Sequence, residues 1–213
     1  MNLEIKNLSK KFKNTFVLEN INMNFESGKI YGLVGRNGSG KSVLLKIICS
    51  FYNPSSGEVL FDKVNINLMN GFPPDTRALI EKPNFISDMT GYENLELLAS
   101  IQKKIGSIEI LDALKKVNLH EEKDKKFREY SLGMKQKLGI AQVIMEDPKL
   151  MILDEPFNGI EEETAKELRS ILKEEARKGK LIILASHIKE DIQELCDEIY
   201  RLELGKIIEH NIK

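Results

Sequence analysis

The chain has 213 residues, 41% of them hydrophobic and 31% charged, which suits one sizeable globular domain carrying a lobe. Lys plus Arg total 32 against 33 Asp plus Glu, and no dense basic block occurs, so a nucleic-acid partner is not expected. No stretch approaches the ~18 apolar residues of a membrane helix and Met1–Lys6 has no apolar export core, so at a membrane some other protein must do the crossing.

Residues 1–27 alternate, with Leu3, Ile5, Val17, Leu18, Ile21, Met23 and Phe25 apolar, and read as half-buried antiparallel strands. Ile30–Val34 is instead continuously apolar, as in a parallel strand buried on both faces, and it leads into a glycine-rich loop. A helix is expected over Lys41–Cys49, and alternation returns over Gly57–Ile66. From about residue 84 to 146 no buried-strand run occurs and the pattern is helical. Thr90-Gly91-Tyr92-Glu93 fits a capping box, and Ser107 is placed as the cap of the next helix, with Ile108, Leu111 and Leu114 at three-residue steps. The mixed-sign cluster Glu121–Lys126 reads as a solvated face. Two more buried runs follow: Leu150–Leu153, ending in Asp154-Glu155, and Leu181–Ala185, ending in Ser186-His187. Between them Glu162–Lys178 forms a helix closed by Gly179. Cys49 and Cys196 lack CxxC spacing and read as reduced, partly buried thiols of a cytosolic protein.

Strand and helix alternate, so the expected fold is α/β with a mainly parallel sheet, an N-terminal antiparallel β subdomain and an inserted helical subdomain. Residues 1–83 and 147–213 form the core with its β subdomain, and residues 84–146 the helical part. Ligands of such sheets gather at the carboxyl ends of the strands, where all three polar clusters fall.

Gly35-Arg36-Asn37-Gly38-Ser39-Gly40-Lys41-Ser42 satisfies GxxxxGK[ST]. Its glycines let the backbone curl so that N–H groups face phosphate oxygens at a helix start, continued by Val43. Lys41 reaches the β and γ phosphates and the Ser42 hydroxyl ligates Mg²⁺. A chance match in a chain of this length is on the order of one in a hundred. Asp154, at a strand end, is placed to hold Mg²⁺, and Glu155 beside it to polarise the attacking water.

Tyr130-Ser131-Leu132-Gly133-Met134-Lys135-Gln136-Lys137 resembles the ABC signature, commonly LSGGQ, in the form found in the bacitracin and lantibiotic exporter branch. Ser131, Gly133 and the Gln-Lys frame match, while Tyr130, Leu132 and Met134 depart from the common form. Read from the residues alone, Ser131 and Gly133 open a helix, where an anion site and a plain serine N-cap can coexist. The resemblance runs from about residue 2 to 209. It implies an ATPase in which His187 contacts the γ-phosphate, Phe12 stacks on adenine, and Phe157–Glu161 forms the D-loop, with Glu161 where aspartate is usual. It places Glu81 where relatives carry a Mg²⁺-ligating glutamine, and a carboxylate oxygen still suits that hard cation.

The implied cofactors are ATP and Mg²⁺. The implied assembly is a homodimer or pseudo-symmetric dimer through nucleotide, with Ser131 and Gly133 of one copy facing the phosphate loop of the other. In the leading reading the chain serves separately encoded permease subunits of an exporter, on the inner face of the cell membrane. The competing reading is a soluble ABC ATPase without a membrane partner, of the iron–sulfur assembly type. An inactive regulatory subunit is disfavoured by intact Lys41, Asp154, Glu155 and His187.

Overall fold

The computed structural model describes residues 1–66 and 72–213. Two sheets carry the fold. The first is antiparallel, in the order β2-β1-β4-β5, from β1 (Asn2–Phe12), β2 (Thr15–Glu26), β4 (Ser56–Phe61) and β5 (Val64–Asn65). The second has the order β10-β9-β3-β8-β7-β6. It is built from β3 (Ile30–Val34), β6 (Thr76–Leu79), β7 (Leu150–Asp154), β8 (Leu181–Ser186), β9 (Glu198–Glu203) and β10 (Lys206–Ile212). All its pairings are parallel except β9 with β10.

The continuous apolar runs explain the layering. Side chains alternate across a strand, so a strand that is apolar at every position needs a core on each face. Met151, Leu153, Ile182 and Leu184 enter one core, while Leu150, Ile152, Leu181, Ile183 and Ala185 enter the other. The second core is closed by β1, β2 and β4 of the antiparallel sheet and by α1 (Lys41–Ile48), through Leu44, Leu45, Ile47 and Ile48. The first is closed by α2 (Gly91–Gln102), α3 (Ser107–Lys116), α4 (Leu132–Ile144), α5 (Glu162–Arg177) and α6 (Lys189–Leu195).

Local capping follows the chemistry of the end residues, with one correction. Thr90 Oγ1 accepts from the Glu93 N–H, and the Glu93 carboxylate accepts from the Thr90 N–H, closing the expected box. Ser107 does not cap α3. It is the first helical residue, and Gly106 is the N-cap, its N–H bonded by Glu109 at 2.8 Å. Glycine is itself a tolerated N-cap, and the Glu109 carboxylate supplies the half of the capping box that serves the cap residue's own N–H, so the cap falls one residue before the hydroxyl. Helix α5 ends at Arg177 with Lys178 as C-cap, and Gly179 follows at φ +90°, the left-handed turn that favours glycine.

Both cysteines are more deeply buried than expected and unlinked, in different cores: Cys196 with the helices, Cys49 with α1. Burial pushes both thiols up to about 12. The thiolate is the nucleophile, so at pH 8 a disulfide-exchange reagent should label neither cysteine in the native protein. Both should react once it is denatured. Stoichiometric labelling of native protein on the mixing timescale would contradict this packing.

Candidate functional site

Strands β7, β8 and β3 are adjacent and parallel, in registers that pair Asp154 with Ala185 and Val34 with Ser186. Their carboxyl ends therefore lie side by side. From there the chain runs into the glycine-rich loop, into Asp154-Glu155 and into Ser186-His187, which makes one site of three distant segments. A cleft of about 570 Å³ opens at this edge, lined by Asn37–Val43, Asp154 and Glu155 among others.

The loop is braced from behind. The Gly205 N–H, in the β9–β10 turn, donates to Ser39 O at 3.1 Å, and Gly205 O accepts from the Glu19 N–H at 2.8 Å. A Cβ on Gly35 would stand 2.3 Å from Leu202 O and 2.6 Å from Ser39 Oγ, so the close approach admits only glycine. Gly40 opens α1 at φ +108°. Gly38 turns at φ +80° into open space. Arg36, Asn37 and Gly38 are exposed, whereas Ser39 and Gly40 are buried.

Lys41 is the electrostatic centre. Its side chain is only 6% exposed, and Nζ donates to Gly35 O at 2.7 Å and, more weakly, to Arg36 O at 3.4 Å. Glu155 Oε1 stands 3.9 Å from that ammonium. On the other side Glu155 Oε2 meets His187 Nδ1 at 2.8 Å and accepts the His187 backbone N–H at 3.3 Å. Glu155 adopts φ +50°, a left-handed conformation uncommon for a side chain of this size, and its N–H is tied to Ala185 O at 2.8 Å. The structure thus joins Lys41, Glu155 and His187 into one chain of contacts. Asp154, the residue before Glu155, is 6% exposed, with Oδ1 buried and without a hydrogen-bond partner among the described residues.

The remaining expected residues are placed less uniformly. Ser42 and Val43 line the cleft. Glu81 reaches its rim at φ +69° but is engaged by Lys46 Nζ at 2.6 Å. That hydrogen bond and charge hold the Glu81 carboxyl below the usual carboxylate range. Phe12 is outside the cleft lining, 41% exposed, edge-on to Tyr52 at 5.5 Å with Lys10 Nζ 5.0 Å from its ring centre. Ser131 is the N-cap of α4, its Oγ accepting from the Met134 N–H at 3.2 Å. Neither Ser131 nor Gly133 is among the cleft-lining residues, although the adjacent Leu132 is. Glu161 is the N-cap of α5 and makes no side-chain cap bond.

Sequence reasoning missed Val17, Lys82, Leu132, Gln136, Asn158 and Gly159 as part of the cleft wall. Asn158 and Gly159 were visible as the segment after Glu155, and Gln136 as part of the signature-like run. Val17 carried no polar signal at all.

The ABC transporter family matches residues 18–158. The chain is 41% identical over 212 residues to a bacitracin transport ATP-binding protein of Enterococcus faecalis, covering 97% of this chain and 68% of that one. It is 35% identical over 209 residues to a lantibiotic transport ATP-binding protein of Streptococcus pyogenes, covering 97% and 89%. Among solved structures, an ATP-binding subunit of an ABC transporter superposes with a TM-score of 0.87 at 26% identity, covering 100% of this chain and 90% of that one. A dimeric ATP-binding cassette captured after hydrolysis with ADP and phosphate superposes at 0.88 with 23% identity, covering 99% and 98%, a likeness of fold. Loop, paired carboxylates and histidine meet at one sheet edge in a chain so matched: it belongs to the ABC transporter family, as an ATP-binding and ATP-hydrolysing cassette.

Proposed function

We propose that this cassette powers an exporter, working as a nucleotide-bridged pair on separately encoded permease subunits at the inner face of the cell membrane. The exporter reading rests on the bacitracin and lantibiotic transport relatives. The catalytic reading rests on one observation, the contact chain from Lys41 through Glu155 to His187 beside an Asp154 oxygen that is unpartnered among the described residues.

The buried Asp154 Oδ1 and the open space at Gly38 fit a cation bound with phosphates. Asp154, Ser42 and Glu81 are the residues that would hold Mg²⁺. Its chemistry there is to neutralise charge on the β and γ phosphates. Gly35, Arg36, Asn37, Gly38, Ser39, Gly40, Lys41, Ser42 and Val43 bind the phosphates through backbone N–H groups and the Lys41 ammonium. Phe12 offers a ring to the adenine from the tip of the first hairpin. Glu155 takes up the water proton as attack begins, and His187 holds that carboxylate in place from the opposite side. Most of the rate gain is electrostatic, because the charges are fixed before the reaction starts. Ser131 and Gly133 serve the second copy. Ser131 is exposed and stands outside its own cleft lining, which supports a partner's phosphate as its ligand. Residues 84–146, which hold α2, α3 and α4, are the unit that presents it.

Lys41→Ala should abolish turnover and sharply weaken binding of a fluorescent ATP analogue, since no other buried cation is available to the phosphates among the cleft-lining residues. Unchanged affinity would mean that the loop is not the phosphate site. If Glu81 holds Mg²⁺, Glu81→Ala should raise the Mg²⁺ concentration for half-maximal turnover while Glu81→Gln leaves it near the original value. Superimposable curves for the original protein and Glu81→Ala would remove Glu81 from the metal site. Glu155→Gln should bind ATP yet slow cleavage by roughly 10³-fold or more. Uncleaved ATP should then trap a dimer by mass action, and adding Ser131→Arg should undo it. The readout is size-exclusion chromatography with Mg-ATP over several protein concentrations. A nucleotide-loaded Glu155→Gln protein that stays monomeric throughout would contradict the shared site.

A further inference from the structure

We infer that Arg169 is a positioning residue for hydrolysis, acting on His187 through a buried relay of Asp191 and Ser186. The inference rests on the reading of Glu155 and His187 as the hydrolytic pair.

Arg169 sits on α5, and its side chain is 2% exposed. Nη1 donates to Asp191 Oδ1 at 2.7 Å, Nη2 to Glu162, and Nε lies 3.1 Å from Glu194 Oε2. Asp191 is itself 1% exposed, and its second oxygen accepts the Ser186 hydroxyl proton at 3.0 Å. That hydroxyl oxygen in turn accepts the Ile188 N–H at 3.1 Å. Ser186 and Ile188 flank His187, so the relay fixes the backbone on both sides of the histidine. His187 then reaches Glu155 with both its ring and its backbone N–H.

The same guanidinium carbon lies 5.9 Å from the centre of the Phe157 ring, two residues beyond Glu155. One buried cation therefore touches the segment behind the carboxylate and, through two further side chains, the turn that carries the histidine. Packing alone does not require this arrangement. Apolar residues of similar volume commonly replace a buried ion pair with neutral or favourable effect on stability. What the ions add is direction: the Arg169 fork holds Asp191, Asp191 orients the Ser186 hydroxyl, and that hydroxyl orients the turn. A displacement of even 1 Å at a catalytic group can lower the rate by about 10²-fold.

Arg169→Ala alone would leave Asp191 buried and unpaired and could unfold the protein, so the test uses gentler changes. Ser186→Ala cuts the relay while leaving the Arg169–Asp191 pair in place. It should lower kcat by about tenfold to a hundredfold, with KM for ATP little changed. Because it orphans one Asp191 oxygen and the Ile188 N–H, it should lower the melting temperature by several degrees while unfolding stays cooperative. Ser186→Thr, which restores a hydroxyl, should recover most of the rate. The side-chain resonance of His187 should shift in Ser186→Ala, while those of His120 and His210 stay in place. In a His187→Ala background, Ser186→Ala should lower single-turnover cleavage no further, since interacting sites fail to add. The double change Arg169→Met with Asp191→Leu should match the Ser186→Ala defect in a protein that still unfolds cooperatively. An active Ser186→Ala with an unmoved His187 resonance, or losses that multiply with His187→Ala, would overturn the relay. Full activity in His187→Ala alone would take the hydrolytic pair down with it, so the two failures are distinguishable.

Discussion

Lys41 carries a full positive charge on a side chain that is only 6% exposed, and its surroundings are arranged to tolerate that. An isolated ammonium withdrawn from water is strongly unfavourable, and it persists where carbonyl dipoles and a carboxylate face it. Gly35 O, Arg36 O and Glu155 supply them, from two segments 120 residues apart in sequence. The demand propagates outward. Carbonyls can converge on one nitrogen only if the loop is tightly curled, and the curl needs glycine at 35 and 40. It is held in shape by the β9–β10 turn behind Ser39. The carboxylate can reach only if β7 lies close beside β3, which requires β8 between them and a core on each face of the sheet.

The same constraint gives Glu155 its double attachment. Lys41 draws one oxygen and His187 the other, so the carboxylate is fixed at both ends while its backbone occupies a left-handed conformation. Unfavourable backbone geometry of this kind persists only where neighbours over-determine it. Here the neighbours are the Ala185 carbonyl, the lysine and the histidine. In the proposed mechanism this fixed carboxylate, histidine and ammonium suit a charge-developing phosphoryl transfer, because little has to move when the charge appears.

Much of this was legible in the sequence where the signal was local. The three buried strands announced themselves as unbroken apolar runs, the tightly curled glycine-rich loop as a spacing of glycines before Gly40-Lys41-Ser42, and the Thr90 box as two residues three apart. Failures came where a partner was distant or a substitute equally good. Ser107 looked like a cap because it carries a hydroxyl, yet the cap is Gly106, whose own N–H the Glu109 carboxylate accepts. Nothing near Glu81 marks Lys46 as its partner, since they stand 35 residues apart and meet only after α1 packs. Arg169 reads as one more charge on an amphipathic helix. Its burial against Asp191 is decided by how α5 and α6 meet, which no local pattern encodes.

The Glu81–Lys46 pair also shows how the cleft meets the extra charge of a carboxylate at its rim. Its walls carry three carboxylates, Glu81, Asp154 and Glu155, against two ammonium groups, Lys41 and Lys82. A glutamine at position 81 would leave those charges balanced, so glutamate adds one negative charge beside a site for a polyanion. Lys46 restores the balance from α1, one turn beyond the phosphate loop, and through a hydrogen bond to the added carboxylate. The pair is largely open to water on the Glu81 side, so its contribution to stability is small. Its effect falls on the local field. A cation on the helix that carries the loop meets the added charge within the same cleft. With that pair in place the proposed anion site is no more negative than it would be with glutamine at position 81, so the proposed roles of Lys41 and Glu155 do not depend on which of the two stands there.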